Sequence, residues 1–176
     1  MTASIETNTD FGDASFIIDD RELKNRLLSV FEVKSQLNPI AISAVKSLRK
    51  GQEKIDIKLK EDCLVTVSDA NVRRYIRYGL NQNKGRAQTD IFILDKKGNI
   101  DMSSPIIWDF VNISEISAIP IDKEKLSITG GRFVTIANQA PSKYNYYSRN
   151  ISIKRSNVTV TNLKHYIEGE GKQGAP

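Results

Sequence analysis

Apolar and polar positions change period several times along the 176 residues, and each change marks a predicted element. Leu23, Leu27, Val30 and Phe31 fall at helical spacing behind Asp19-Asp20, which offers an N-cap and places acids at the positive end of the helix dipole. Asn38-Pro39 opens a second predicted helix, with Ile42, Val45 and Leu48 along one side and Gly51 as its stop. From Glu53 the period becomes two. Ile55, Ile57 and Leu59 alternate with Lys54, Asp56, Lys58 and Lys60, the pattern of a strand with one wet face. Glu61-Asp62 turns the chain into a second strand, Cys63 to Val67. Ser68 or Asp69 then caps a third predicted helix running to about Tyr78, which buries Val72, Tyr75 and Ile76.

Further on, Ile91 and Ile93 alternate ahead of the turn Asp95-Lys96-Lys97-Gly98-Asn99. Leu126 to Thr129 and Phe133 to Ile136 flank Gly130-Gly131, which predicts a tight hairpin. Ile151 and Ile153 are expected to pair with Val158 and Val160 across a turn at Arg155-Ser156-Asn157. Strands broken by a few short helices predict an α+β fold, a single domain over 19–167 with a central antiparallel sheet. Residues 1–18 read as a flexible acidic tail and 168–176 as a flexible C-terminal tail.

Composition narrows the setting. No run of eighteen apolar residues exists, so no helical membrane span is expected. The N-terminus is polar and acidic, unlike a secretory signal, which leads to an expectation of cytosol or nucleus. The single Cys63 cannot form an internal disulfide. Charge is uneven. Residues 1–33 hold seven acids and three bases, and removing that −4 from the total of +5 leaves +9 on residues 34–176. A basic body suits a polyanionic partner, either nucleic acid or an anionic membrane surface.

The basic side chains cluster. On the predicted third helix Arg73, Arg74 and Arg77 are i, i+3 and i, i+4 neighbours, and Lys84 and Arg86 follow. Such self-repulsion costs a few tenths of a kcal/mol per pair, which a bound polyanion relieves and a merely solvated face does not. Arginine forks match phosphate oxygens in RNA or lipid headgroups. Tyr144, Tyr146 and Tyr147, with Lys143 and Arg149, suit base stacking or an interface equally.

Catalytic chemistry ranks low. One histidine, His165, and one cysteine do not make a zinc site, and neither phosphate-binding glycine motif occurs, so no metal or cofactor is expected. Asp90 and Asp95 are the nearest approach to a carboxylate nuclease, but five positions apart on a strand they face opposite sides.

One stretch resembles a known family. The strand Asp90 to Leu94, the charged turn and Ser104-Pro105-Ile106-Ile107-Trp108-Asp109-Phe110-Val111-Asn112 follow the order seen in the C-terminal part of rhabdovirus matrix proteins. Pro105, Ile107, Trp108, Asp109 and Asn112 carry that resemblance, over about twenty-five residues. It implies a non-enzymatic scaffold that self-associates, condenses a viral nucleoprotein–RNA complex and links it to an anionic membrane. Virion, host cytoplasm at membranes and nucleus are the implied locations. The N-terminus is acidic where animal-virus members are lysine-rich, and the short length and missing Pro-Pro-x-Tyr motif fit a plant-infecting, cytorhabdovirus-like member better than an animal one. The alternative is a nucleic-acid-binding accessory protein that binds RNA directly, a silencing suppressor or movement factor.

Trp108, among Ile106, Ile107, Phe110 and Val111, is expected in the core. Phe11, Phe16, Ile17 and Ile18 anchor the acidic segment on a second copy in a homo-oligomer, or else Phe16 to Ile18 pack on their own domain as a first strand.

Overall fold

The computed structural model of the chain describes residues 3–23, 28–76, 84–137 and 151–169. Every regular element among them is a β-strand, so the α+β expectation is overturned. The chain divides into two compact units: residues 1–36 with 122–176, and residues 37–121. In chain order the second unit is inserted into the first.

The first unit is a parallel β-helix of three coils. Strands β1 (Ala3–Ile5), β2 (Thr9–Asp10) and β3 (Ser15–Asp19) make the first coil. β4 (Phe31–Lys34), β9 (Leu126–Thr129) and β10 (Arg132–Ile136) make the second, with the inserted unit between β4 and β9. β11 (Ile151–Lys154), β12 (Val158–Thr161) and β13 (Lys164–Glu168) make the third. Equivalent strands pair in parallel as three sheets, β1-β4-β11, β2-β9-β12 and β3-β10-β13.

Parallel stacking sets inward positions in columns. Ile5, Val33 and Ile153 share one, and Phe16, Phe133 and His165 another. The core is Ile5, Phe31, Val33, Leu126, Ile128 and Phe133, with Phe11, Ile18 and Val158 packed against it. Phe133 stacks on Phe16 at 4.9 Å between ring centroids and meets Phe11 edge-on at 5.4 Å. Phe16 to Ile18 lie on a strand that packs on its own unit, though it is the third strand and not the first, and Ile17 stays exposed.

Two expected hairpins are corners instead. Gly130-Gly131 does separate two strands, but β9 and β10 go to different sheets. Gly130 has φ +72°, and a Cβ there would lie 2.5 Å from the Gly12 carbonyl oxygen of the first coil. Close stacking of coils, rather than a hairpin, therefore requires glycine. Likewise Arg155-Ser156-Asn157 is a turn, with Asn157 at φ 54°, yet β11 pairs with β4 and β12 with β9. Asp122 stabilises this corner at the point where the chain re-enters the coil. It accepts from Ser35 Oγ (2.8 Å) and Ser156 Oγ (3.2 Å), its N–H donates to Ser156 Oγ (2.7 Å), and Arg155 lies 3.5 Å away.

The inserted unit holds an antiparallel sheet ordered β5-β8-β6-β7, where β5 is Ile40–Ala41, β6 Cys63–Arg74, β7 Arg86–Leu94 and β8 Glu115–Pro120. Its core joins Ile42, Val45, Leu48, Val65, Phe92, Leu94, Ile106 and Phe110. The predicted second helix is a chain of turns after β5, closed by an i to i+3 bond from Val45 N–H to Ile42 O. A spacing of three apolar positions suits such turns as well as a helix, so its buried side is as expected and its backbone is not. Of the predicted first helix, residues 21–22 are turn and Phe31 opens β4, and 24–27 lie outside the described residues.

The alternation of Ile55, Ile57 and Leu59 also faces the core, but without a strand ladder. Their backbone leans on the turn 95–99: Ile55 N–H donates to Gly98 O and Leu59 N–H to Lys96 O. Gly98 has φ +86°, and a Cβ there would sit 2.1 Å from Ile55 O. Gly98→Ala combines that clash with a strained backbone and is expected to cost about 1–3 kcal/mol. A denaturant midpoint unchanged from wild type would contradict this packing of the turn. Cys63 is fully buried on β6, and burial pushes its thiol up, with Asp62 and Glu61 adding to the shift.

Candidate polyanion-binding groove

The third predicted helix does not form through Arg74; those residues continue β6 as strand. Asp69 explains the difference. Rather than capping a helix, its buried carboxylate Oδ1 accepts from Asn71 N–H (2.8 Å) and Asn71 Nδ2 (3.1 Å). The strand bulges there: Asp69 faces Gln88 on β7, and the next paired residue, Arg73, faces Ala87. Asp side chains that bond their own backbone two residues on compete with helix in just this way.

The consequence is that Arg73 and Arg74 no longer share a face, since neighbours on a strand point to opposite sides. Arg74 turns inward. Its Nε and Nη2 donate to Gln88 Oε1 at 3.0 and 2.7 Å, and its guanidinium lies 4.0 Å from the centre of the Trp108 ring. Gln88 is itself buried and passes the contact on, donating from Nε2 to Asp109 O (2.8 Å). Arg74 is therefore a structural cation that holds the Pro105–Asn112 segment against the sheet. Trp108 is half-buried over the core rather than inside it, and its buried Nε1 makes no hydrogen bond among the described residues.

Arg73, Lys84 and Arg86 are exposed and form no ion pair among the described residues. Arg86 faces Arg74 across the β6–β7 pair. Arg77 lies outside the described residues, as do Lys143, Tyr144, Tyr146, Tyr147 and Arg149.

Beside Arg86 runs an open groove of about 670 Å³, lined among others by Tyr75, Thr89, Ile91 and Ile107. Tyr75 adopts φ 54°, unusual for a bulky residue, and its ring is well exposed. Backbone held in that region marks sites where geometry serves more than packing. Asp90 closes the groove floor with both oxygens engaged, Oδ1 by Ile91 N–H (2.9 Å) and Oδ2 by Ile107 N–H (2.8 Å).

The other residues singled out in the sequence are dispersed. Ile107 lines the groove, Asp109 Oδ1 accepts from Lys50 N–H (2.8 Å), Pro105 is half-buried and Asn112 exposed. Asp95 holds its own turn through Lys97 N–H and Asn99 N–H, and Asn99 beside it draws its carboxyl below the usual range. Among the described residues no cluster of three or more His, Cys, Asp or Glu side chains is placed to hold a metal. His165 Nε2 shares a 2.9 Å hydrogen bond with Thr135 Oγ1 in the β-helix. What sequence reasoning missed is Tyr75 as groove wall and Gln88 as buried partner of Arg74. A glutamine alternating with buried positions on a strand was the available signal for the second.

No protein-family model matches the chain, and a search of curated proteins finds no relative.

Proposed function

We propose that this chain is a non-enzymatic scaffold that binds an extended polyanion through the end of the β6–β7 pair. The observation that carries the reading is Arg86, exposed on a groove whose wall is an exposed tyrosine, with Arg73 and Lys84 also exposed at that end of the strand pair and none of the three in an ion pair among the described residues. Arg74 is held by a hydrogen-bond and a ring partner, Gln88 and Trp108, whereas Arg73, Lys84 and Arg86 form no ion pair among the described residues. Arginine forks suit phosphate or carboxylate oxygens, and an aromatic ring beside them suits a base or another flat group along a polymer. A groove admits a single strand more readily than a flat bilayer does, which favours RNA over a membrane as the first partner. Nucleoprotein–RNA condensation and membrane linkage, which the Pro105–Asn112 resemblance implies, are roles of the same class and stay proposals.

Binding of single-stranded RNA, an acidic polysaccharide and anionic vesicles, each measured on wild type and on Arg73→Glu with Arg86→Glu, tests this. The reading expects at least one of these polyanions to bind at low salt, and the double variant to lose about tenfold or more in affinity. No binding to any of the three, or equal binding by the variant, would overturn it.

A further inference from the structure

Among the described residues the third coil of the β-helix has a strand neighbour on one side only. Each inward column grows more exposed at the third coil. Val33 is 0 % exposed and Ile153, in register with it, 49 %; Ile128 is 0 % and Val160 38 %; Thr135 is 3 % and Ile167 48 %. In these three columns the third-coil residue is still apolar, and among the described residues no coil lies beyond it. The outer edges of β11, β12 and β13 pair with no strand among the described residues. Open edges with apolar side chains behind them are templates for strand addition.

We propose that a second copy of this chain completes that end, its first coil stacking in parallel on the third coil of its neighbour. Strand lengths suit the pairing: β13 and β3 both have five residues, and β11 has four against three in β1. Their inward residues follow the columns already built inside one molecule, because the first coil presents Ile5, Phe16 and Ile18 where the second presents Val33, Phe133 and Thr135. Charge complements the fit. Residues 3–20 bear five acids and no base, and residues 151–169 bear three Lys or Arg against one acid. Asp19 is held by Arg21 at 2.5 Å, Lys154 by Glu32 at 2.6 Å, and Arg155 lies 3.5 Å from Asp122, so the contact brings Glu6, Asp10 and Asp13 towards Lys164, which has no ion pair among the described residues. Opposite charge steers the encounter, while hydrogen bonding and apolar cover hold it. Two different surfaces meet, so the contact is head-to-tail and propagates as an open series rather than closing as a dimer. This inference is independent of the polyanion groove, which lies in the inserted unit.

Sedimentation velocity of the full chain over a concentration series, at low and at high salt, reads it out. Open-ended growth beyond dimer is expected at low salt, weakened at high salt. Ile153→Lys should lower the association constant at least about tenfold. Since that substitution can also unfold the coil, Lys164→Glu is the companion variant: exposed on the last strand, it should keep the wild-type melting curve and still shorten the series. A monomer at every concentration, a closed dimer, or growth indifferent to Lys164→Glu and to salt would overturn the proposal.

Discussion

Phe133→Ala is expected to destabilise the β-helix by about 3–5 kcal/mol, the range for a large aromatic removed from a packed core. Phe133 lies in the middle coil, where cover comes from both sides, and is 5 % exposed. Its ring touches Phe16, Phe11 and Phe31, at 4.9, 5.4 and 5.8 Å between centroids. Removing it empties the space shared by three other rings, and none of them can fill it without leaving its own column. Phe16→Ala should cost clearly less, because Phe16 stands in the first coil and is already partly exposed. Amide exchange in β10 under native conditions is the suitable readout, since it reports opening of this unit alone. Equal effects of the two substitutions would contradict the stacking order.

In the inserted unit Phe110→Ala is expected to cost a similar about 3–5 kcal/mol. Phe110 is fully buried, and its backbone pairs both ways with Leu48, Phe110 N–H to Leu48 O at 2.8 Å and Leu48 N–H to Phe110 O at 2.9 Å. The side chain thus anchors the 37–62 segment to the sheet. Trp108, two residues earlier and the larger side chain, should cost only about 1–2 kcal/mol on truncation, chiefly its contact with Arg74 and partial apolar cover. Composition alone orders these the other way, with the lone tryptophan as the chief core residue. Denaturant midpoints at unchanged m-value decide between the two orders.

What was legible in the sequence is the set of buried faces. Ile42, Val45 and Leu48, the alternation at Ile55 to Leu59, and the runs at Leu126 and Phe133 all turn inward. Backbone type was less legible, because a spacing of three fits both a helix and successive turns. Asp69 reads as a helix cap, but its carboxylate bonds Asn71 and keeps the chain extended. Connectivity was hardest to read. Gly130-Gly131 signals a sharp change of direction but not whether the chain folds back or turns a corner. A parallel coil is specified by residues far apart, such as Val33 beneath Ile5 and above Ile153, with an insertion of 85 residues between β4 and its coil-mates. The basic cluster was half legible. Arg73 and Arg86 stand exposed as expected, while Arg74 is withdrawn by a glutamine that no local pattern links to it.

The salt dependence of RNA binding tests the central claim most directly. For single strands each neutralised phosphate contributes about −0.7 to the slope of log K against log salt. With Arg73, Lys84 and Arg86 all engaged, a slope of about −2 is predicted, becoming shallower by about 0.7 in Arg86→Gln. A slope near zero, or one that Arg86→Gln leaves unchanged, would contradict binding at this groove.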